Sequence, residues 1–227
     1  GTGRSWKPGE KSFLPEELSS LVIRSIVEDA QNYLGEEIEE AVISVPAYFH
    51  DEQRVAVKRA GALAGIHVER IVNEPSAAAL ASYFTANEEQ NMLVFDFGGG
   101  TLDVSLVDCF DTMVEIVSVA GNNRLGGDDF DRLIAEHFLR EHGVARQQLR
   151  AQEYAVLLKQ AERCKKLLSE QDEVVMHATV GDQLYESTYT MDRLFEESKA
   201  LLKEIRQVIG RALKDGKMTI HDVDLVV

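Results

Sequence analysis

Cysteine is scarce in this sequence. Cys109 and Cys164 are the only two, they stand far apart, and they match no zinc-ligand or redox spacing. They read as reduced thiols, in the core or half-buried, of a cytosolic protein; a disulfide between them is the alternative. No apolar run approaches the length of a membrane span and no signal-peptide pattern opens the chain, so no membrane role is expected. Basic clusters are missing as well. With 39 acidic against 24 basic residues and a formal net charge of −15, the chain would repel the phosphate backbone of a nucleic acid. His50, His67, His137, His142, His177 and His221 show no metal-ligand spacing. No G-x-x-x-x-G-K-[ST] string occurs, which excludes a P-loop, and no G-x-G-x-x-G opens a helix, which excludes the Rossmann fingerprint. Internal repeats and low-complexity tracts are absent too. What remains is ordinary globular composition, 44% hydrophobic and 28% charged, enough for one or two domains with a sizeable core.

The stretch around which the rest is arranged is Asp96-Phe97-Gly98-Gly99-Gly100-Thr101-Leu102-Asp103. Met92-Leu93-Val94-Phe95 before it is an apolar run of strand type. After it, Leu102, Val104 and Leu106 alternate with Asp103, Ser105 and Val107, which is strand periodicity. The pattern predicts strand, glycine turn, strand. Three glycines allow positive φ and a close approach to a ligand, and successive N–H groups can converge on an anion. Asp96 and Asp103 at the two mouths of the turn suit a hard cation, Mg²⁺, between them and a phosphate, and Thr101 adds a hydroxyl. An ordinary hairpin with a flexible tip is the competing reading.

Taken in order, the chain opens on a polar, irregular stretch, Gly1–Lys11. Pro15, Glu16 and Glu17 start a helix whose apolar stripe is Leu18, Leu21, Val22, Ile26 and Tyr33, capped by Gly35. Ala41–Val45 is a buried strand stopped by Pro46. Asp51 is the expected N-cap of a helix running to about Ala64 and closed by Gly65. His67–Val72 is a strand, and Asn73-Glu74-Pro75-Ser76 turns into a helix from Ala77 to Phe84. Alternating helix and strand indicates an α/β layer, with a boundary in the polar stretch Thr85–Asn91. The glycine hairpin is followed by a strand at Val114–Ala120 and a glycine- and asparagine-rich loop, Gly121–Gly127. Asp128 and Asp129 open a helix to about Glu141, and a second helix spans about Gln152–Ser169. A hairpin of Val174–Val180 and Gln183–Thr190 turns at Gly181-Asp182. One long helix is predicted over about Met191–Lys214, ended by Asp215-Gly216. The chain closes on an apolar strand, Val223–Val227, the expected sign of a piece cut from a longer protein.

Among the other polar residues, Glu74 sits between strand and helix, where a carboxylate could orient a water attacking a phosphate; equally, it could simply favour the helix dipole. Pro46 reads first as a strand stop and Arg54 as a solvated charge. Glu162, Lys165, Lys166 and Ser169 fall at spacings of three and four on one predicted helix. They could hold a sugar hydroxyl or a base, or form an exposed face with a Glu-to-Lys pair.

Four strings together resemble one family: Val45-Pro46-Ala47-Tyr48-Phe49, Asn73-Glu74-Pro75-Ser76-Ala77-Ala78-Ala79, Asp96–Asp103, and Leu125-Gly126-Gly127-Asp128-Asp129-Phe130-Asp131. In order and spacing, over nearly the whole chain, they resemble the ATPase domain of the seventy-kilodalton heat-shock chaperones of DnaK type, with an overall tone closest to the HscC branch. The resemblance implies an α/β, actin-like (ribonuclease H-like) ATPase fold, here the later part of lobe I and most of lobe II around an ATP cleft. Residues 1–90 would belong to lobe I, 91–125 and 199–227 to the base of lobe II, and 126–198 to its upper subdomain. Gly98, Gly99, Gly100 and Thr101 would contact phosphates. Asp96 and Asp103 would hold the Mg²⁺ shell through water, and Glu74 would assist hydrolysis. Gly127, Glu162, Lys165 and Ser169 would hold phosphate or adenosine groups of ATP or ADP, with Lys166 beside adenine. Pro46 and Arg54 match the proline switch that links nucleotide state to the peptide-binding domain. Arg70 and Asn73 match positions used for J-domain co-chaperones, and a nucleotide exchange factor is a further implied partner.

The sequence departs from the family's usual pattern at Ser76, Phe97, Leu102, Asn122, Asp128 and Lys166; where some members place an arginine beside adenine, this chain has Lys166. The family's first phosphate loop, catalytic lysine, last adenosine loop and peptide-binding domain fall outside the sequence, so this stretch by itself is expected to be inactive. The competing functions are those of other actin-fold proteins, a sugar or acetate kinase or an actin-like filament protein. Neither is expected to carry the Asn-Glu-Pro-Ser or Leu-Gly-Gly-Asp-Asp-Phe-Asp strings.

Overall fold

A computed structural model describes Ser5 and residues 12–86, 89–110, 113–181 and 183–227. Most of the polar opening, the middle of the Thr85–Asn91 boundary and Asp182 of the predicted hairpin turn lie outside the described residues. By its contacts the chain forms two compact units. One comprises the residues up to Met92 with Val107–Val117 and Val227; the other comprises Leu93–Leu106 and Ser118–Val226. No helix among the described residues is long and apolar enough to cross a membrane.

The first unit begins with α1, Pro15–Leu34. Glu17 reaches back to the Leu14 N–H at 2.7 Å, and Gly35 closes the helix at φ 73°, a conformation glycine adopts without steric cost. Two parallel strands follow, β1 (Glu40–Val45) and β2 (His67–Asn73), in a register from Glu40 opposite His67 to Val45 opposite Asn73. Between them runs α2, Asp51–Ala64. Its N-cap is His50 rather than Asp51: His50 is extended, and its N–H is taken by the Gln53 side chain at 2.9 Å. Asp51 thus places its charge in the first turn instead, where the helix dipole favours it. The next helix, α3 (Glu74–Ala86), follows β2 with no intervening turn. Pro75 explains the early start, since a proline in the first turn gives up an N–H that has no helical partner.

The predicted stripe of α1 is not its covered face. Leu21, Val22, Ile26 and Tyr33 are 50%, 60%, 61% and 89% exposed, while Glu16 and Ser20 are buried. Helical spacing tells which residues share a face and not what covers it. Here α1 and α2 are in contact, and the cavity of about 280 Å³ between them is lined by Glu16, Ser19 and Ile23 from α1.

A four-stranded sheet runs in the order β5–β4–β3–β8, where β3 is Gln90–Phe97, β4 Leu102–Phe110, β5 Met113–Asn122 and β8 Leu225–Val226; the second unit holds its Leu93–Phe97, Leu102–Leu106, Ser118–Asn122 and Leu225–Val226 portions. The closing strand is shorter than its apolar run suggested and lies beside β3. Its core joins Leu93, Leu102, Val104, Leu106, Ala120 and Leu125 to Val208 and Ala212 of α7 (Lys199–Asp215). A separate core gathers α4 (Gly127–Glu141), α5 (Ala151–Leu167) and the antiparallel pair β6 (Glu173–Val180) and β7 (Gln183–Thr190) around Phe138, Leu157, Met176 and Tyr189. Leu194 of α6 (Met191–Glu197) completes it.

The predicted long helix is therefore two, α6 and α7, divided at Ser198. That serine is buried and its hydroxyl donates to the Phe195 carbonyl at 3.3 Å, a back-bond that bends helices. Cys109 and Cys164 are both free and buried. Burial pushes the Cys164 thiol up to about 11, so it stays protonated at neutral pH.

Gly61 of α2 marks a close approach of that helix to β2: a Cβ there would stand 2.3 Å from Cγ2 of the buried Val68. Val68 is β-branched and cannot swing away. Overpacking of about 1–3 kcal/mol outweighs the gain of about 0.5–1 kcal/mol from replacing a helical glycine. Gly61→Ala is expected to destabilise the protein by about 1 kcal/mol in urea unfolding, the opposite sign to Gly→Ala at an open helical position such as Gly210.

Candidate functional site

The glycine turn lies in the second unit, between Phe97 at the end of β3 and Leu102 at the start of β4. The Gly98 N–H donates across it to the Thr101 carbonyl at 2.9 Å. The turn is held from outside by the first residues of α4. Gly127 N–H donates to the Gly98 carbonyl at 3.0 Å and Asp128 N–H to the Gly99 carbonyl at 2.7 Å. A helix leaves its first amides without internal partners, and here they are used to clasp the turn. Gly126 makes the clasp sterically feasible: a Cβ there would lie 2.3 Å from the Gly99 oxygen and 2.5 Å from the Gly100 nitrogen. Its own N–H is taken by the Asp129 carboxylate at 2.8 Å.

The consequence is directional. The carbonyls of Gly98 and Gly99 are tied back to α4, whereas among the described residues the amides of Gly99, Gly100 and Thr101 enter no hydrogen bond. Adjoining the turn is a cleft of about 380 Å³ lined by Phe97, Gly98, Gly99, Gly127, Phe130 and Lys165. Phe97 and Phe130 meet edge to face, centroids 6.0 Å apart. The Lys165 ammonium, from α5, donates to the Gly127 carbonyl at 3.0 Å and pairs with Asp131 of α4 at 2.6 Å.

Asp96 is exposed and Asp103 half-buried. Burial, then the negative charge of Asp96, raises the Asp103 carboxyl above its ordinary value. Asp103 Oδ1 is buried and has no hydrogen-bond partner among the described residues. It nestles against Gly121, where a Cβ would come within 2.4 Å of it. A carboxylate raised by burial and by the charge of its neighbour Asp96, with an orphaned oxygen, fits a hard cation with water in its shell. No group of three or more His, Cys, Asp or Glu among the described residues could enclose a metal. A cation would need phosphate and water oxygens to complete its coordination.

The other expected residues divide. Gly127 belongs to the cleft, but its amide serves the clasp. Lys165 turns inward. Lys166 turns outward and pairs with Glu162 at 2.7 Å, which holds the Glu162 carboxyl below its usual range; neither lines the cleft. Ser169 is exposed and lies beyond the end of α5, not on it.

In the first unit Arg54 is not a solvated charge. Its guanidinium donates to Asn73 Oδ1 at 2.6 Å and to the Phe49 carbonyl at 3.1 Å. This ties α2 to the end of β2, next to Glu74, which is half-buried as the first residue of α3. Pro46, half-buried, follows β1, and Arg70 is exposed on β2 opposite Val42. Sequence reasoning assigned no role to Gly121, Gly126 or Asp131. The Gly126-Gly127 doublet before two aspartates was the one available signal.

Asp103 is costly to ionise in the folded state because its carboxyl is raised. Below 3.8, the ordinary value, both folded and unfolded forms are protonated and no penalty exists. The penalty develops as pH rises above that value and is complete above the folded value. Asp103→Asn, measured without nucleotide or Mg²⁺, is therefore expected to raise the unfolding midpoint at pH 7, with the difference shrinking as pH is lowered toward 4. A lower midpoint at pH 7 would contradict this assignment.

The family described as Hsp70 protein matches residues 4–227. The chain is 42% identical to the chaperone protein dnaK3 of Thermosynechococcus vestitus, over 96% of this chain and 33% of that protein. It is 41% identical to the chaperone protein DnaK of Thermotoga neapolitana, over 100% of this chain and 40% of that one. It is 40% identical to the chaperone protein dnaK of Cyanophora paradoxa, over 96% and 37%. The chain spans between a third and two-fifths of the length of these curated relatives. With a match over nearly all of its length, and the glycine turn, the clasping helix and the Asn73-Glu74 junction all present, the chain belongs to the Hsp70 family.

Proposed function

We propose that this chain is nucleotide-binding-domain sequence of a DnaK-type chaperone, in which ATP binding and hydrolysis gate peptide binding by a separate domain. One observation carries the reading: among the described residues three amides, of Gly99, Gly100 and Thr101, stand without partners on a turn whose Gly98 and Gly99 carbonyls are tied back to α4. Such a turn is preorganised for an anion, and the cost of ordering it is met before the ligand arrives. In this reading those amides and the Thr101 hydroxyl hold the phosphates. Asp96 and Asp103 hold water around Mg²⁺, which when bound neutralises phosphate charge. Lys165 holds the ligand at the opposite wall, and Glu74 orients the attacking water.

The family also frames the architecture. We place residues 1–90 in lobe I of an actin-like fold, 91–125 and 199–227 in the base of lobe II, and 126–198 in its upper subdomain. The separate apolar core of α4, α5, β6, β7 and α6 supports the last of these. The Arg54–Asn73 hydrogen bond supports a link between the switch position of Arg54 and Pro46 and the co-chaperone position of Asn73 and Arg70. J-domain proteins and a nucleotide exchange factor are the partners of this reading, in the cytoplasm. No observation favours a sugar kinase or a filament protein.

Glu74 provides the test in the full-length protein. A group that positions the nucleophile acts in the transition state and not in ground-state binding. Glu74→Ala is expected to lower kcat for ATP hydrolysis by about 100-fold or more, with the Kd for Mg·ATP within about twofold of wild type. Unchanged turnover would remove Glu74 from the mechanism.

A further inference from the structure

Asp131 is a buried carboxylate, 7% exposed, on the first turns of α4 beside a site read as binding an anion. A negative charge there opposes a polyphosphate unless it does something else. Among the described residues it forms an ion pair with the Lys165 ammonium at 2.6 Å. That ammonium makes a second bond, to the Gly127 carbonyl at 3.0 Å, and lines the cleft with Phe97, Gly99 and Phe130. A lysine ammonium has three N–H donors, and these two contacts do not use them all. Lys166, the next residue, shows the contrast: it pairs with Glu162 on the exposed side of the same helix and takes no part in the cleft.

We propose that Asp131 is the positioning residue for Lys165: together with the Gly127 carbonyl it fixes the ammonium at the cleft wall with a remaining N–H turned toward bound nucleotide. The proposal rests on the nucleotide reading above. A free lysine stem samples many rotamers and must be ordered on binding. Held by Asp131, it is ordered beforehand. The same two bonds connect α5 to the residues of α4 that clasp the glycine turn, so lysine and turn share one rigid support. The aspartate also offsets the lysine charge, which leaves phosphate recognition to the turn amides and the cation. Asp128 and Glu162, the other carboxylates near Asp131, reinforce that division.

The experiment is a double-mutant cycle on the full-length protein, reading the Kd of Mg·ADP. Immobilising one rotamer-rich side chain is worth a factor of about 2–10 in affinity, so Asp131→Asn is expected to weaken Mg·ADP by about fivefold. The same change in a Lys165→Met background is expected to cost nothing, because the residue it acts through is gone. A purely structural role for Asp131 predicts the same loss in both backgrounds. Lysine-selective ¹⁵N NMR gives a second readout that needs no nucleotide: a solvent-protected ammonium signal assigned to Lys165 in wild type, lost in Asp131→Asn. If Asp131→Asn does not fold, Asp131→Glu carries the cycle. It moves the carboxylate by one methylene, and its smaller loss is also expected to vanish with Lys165→Met. Equal losses in the two backgrounds, or wild-type affinity in Asp131→Asn, overturn the proposal. Failure of the wild type to bind Mg·ADP overturns the nucleotide reading and this one with it. A protected Lys165 signal beside that failure would show that the ion pair forms but serves something else.

Discussion

Two backbone hydrogen bonds, from Gly127 to Gly98 and from Asp128 to Gly99, determine what the glycine turn can do. Three glycines in a row would otherwise be a loose tip, because glycine loses more conformational freedom on ordering than any other residue. The bonds come from amides that the start of α4 leaves over, and they bind carbonyls rather than amides. The turn is thereby fixed with its donors outward. Gly126 is the steric condition for this, since any side chain there would meet the backbone of Gly99 and Gly100. Sheet, helix and cleft are thus joined at one point of backbone contact.

Charge is arranged around that point with little margin. The chain carries a net charge of −15, and Asp96, Asp103, Asp128 and Asp131 all lie on or next to the glycine turn and the start of α4. Lys165 is paired with one of them. In the proposed reading, attraction for a polyanion comes from oriented amides and from a cation between Asp96 and Asp103, acting locally and at short range. The raised carboxyl of Asp103 and its orphaned oxygen are the local cost of that arrangement. Residues held at some expense to stability are expected where a ligand later relieves them.

The sequence made the hairpin legible because its signals agree: an apolar run before and an alternating run after three successive glycines, which weaken a strand interior. The caps at Gly35 and Gly65 were legible for the same local reason, as both adopt the left-handed backbone that glycine permits. What could not be read were relations between distant segments. The stripe of α1 has helical periodicity yet lies exposed among the described residues. Ser198 divides α6 from α7 through a buried back-bond that no propensity flags. The clasp of α4 on the turn joins residues nearly thirty positions apart, and only a Gly-Gly doublet hinted that two backbones meet there. Arg54 looked like a surface charge because its partner, Asn73, is on another element. The four family strings carried what periodicity could not, and a match over residues 4–227 agrees with them.

The most direct measurement is amide NMR of this chain with and without Mg·ATP. The amides of Gly127 and Asp128 are expected to be protected from hydrogen exchange before nucleotide is added. Those of Gly99, Gly100 and Thr101 are expected to exchange freely, then to shift and become protected as Mg·ATP is titrated. Fast exchange at Gly127 and Asp128 without nucleotide, or saturation by Mg·ATP with no change at the three turn amides, would contradict the clasp as the basis of the site.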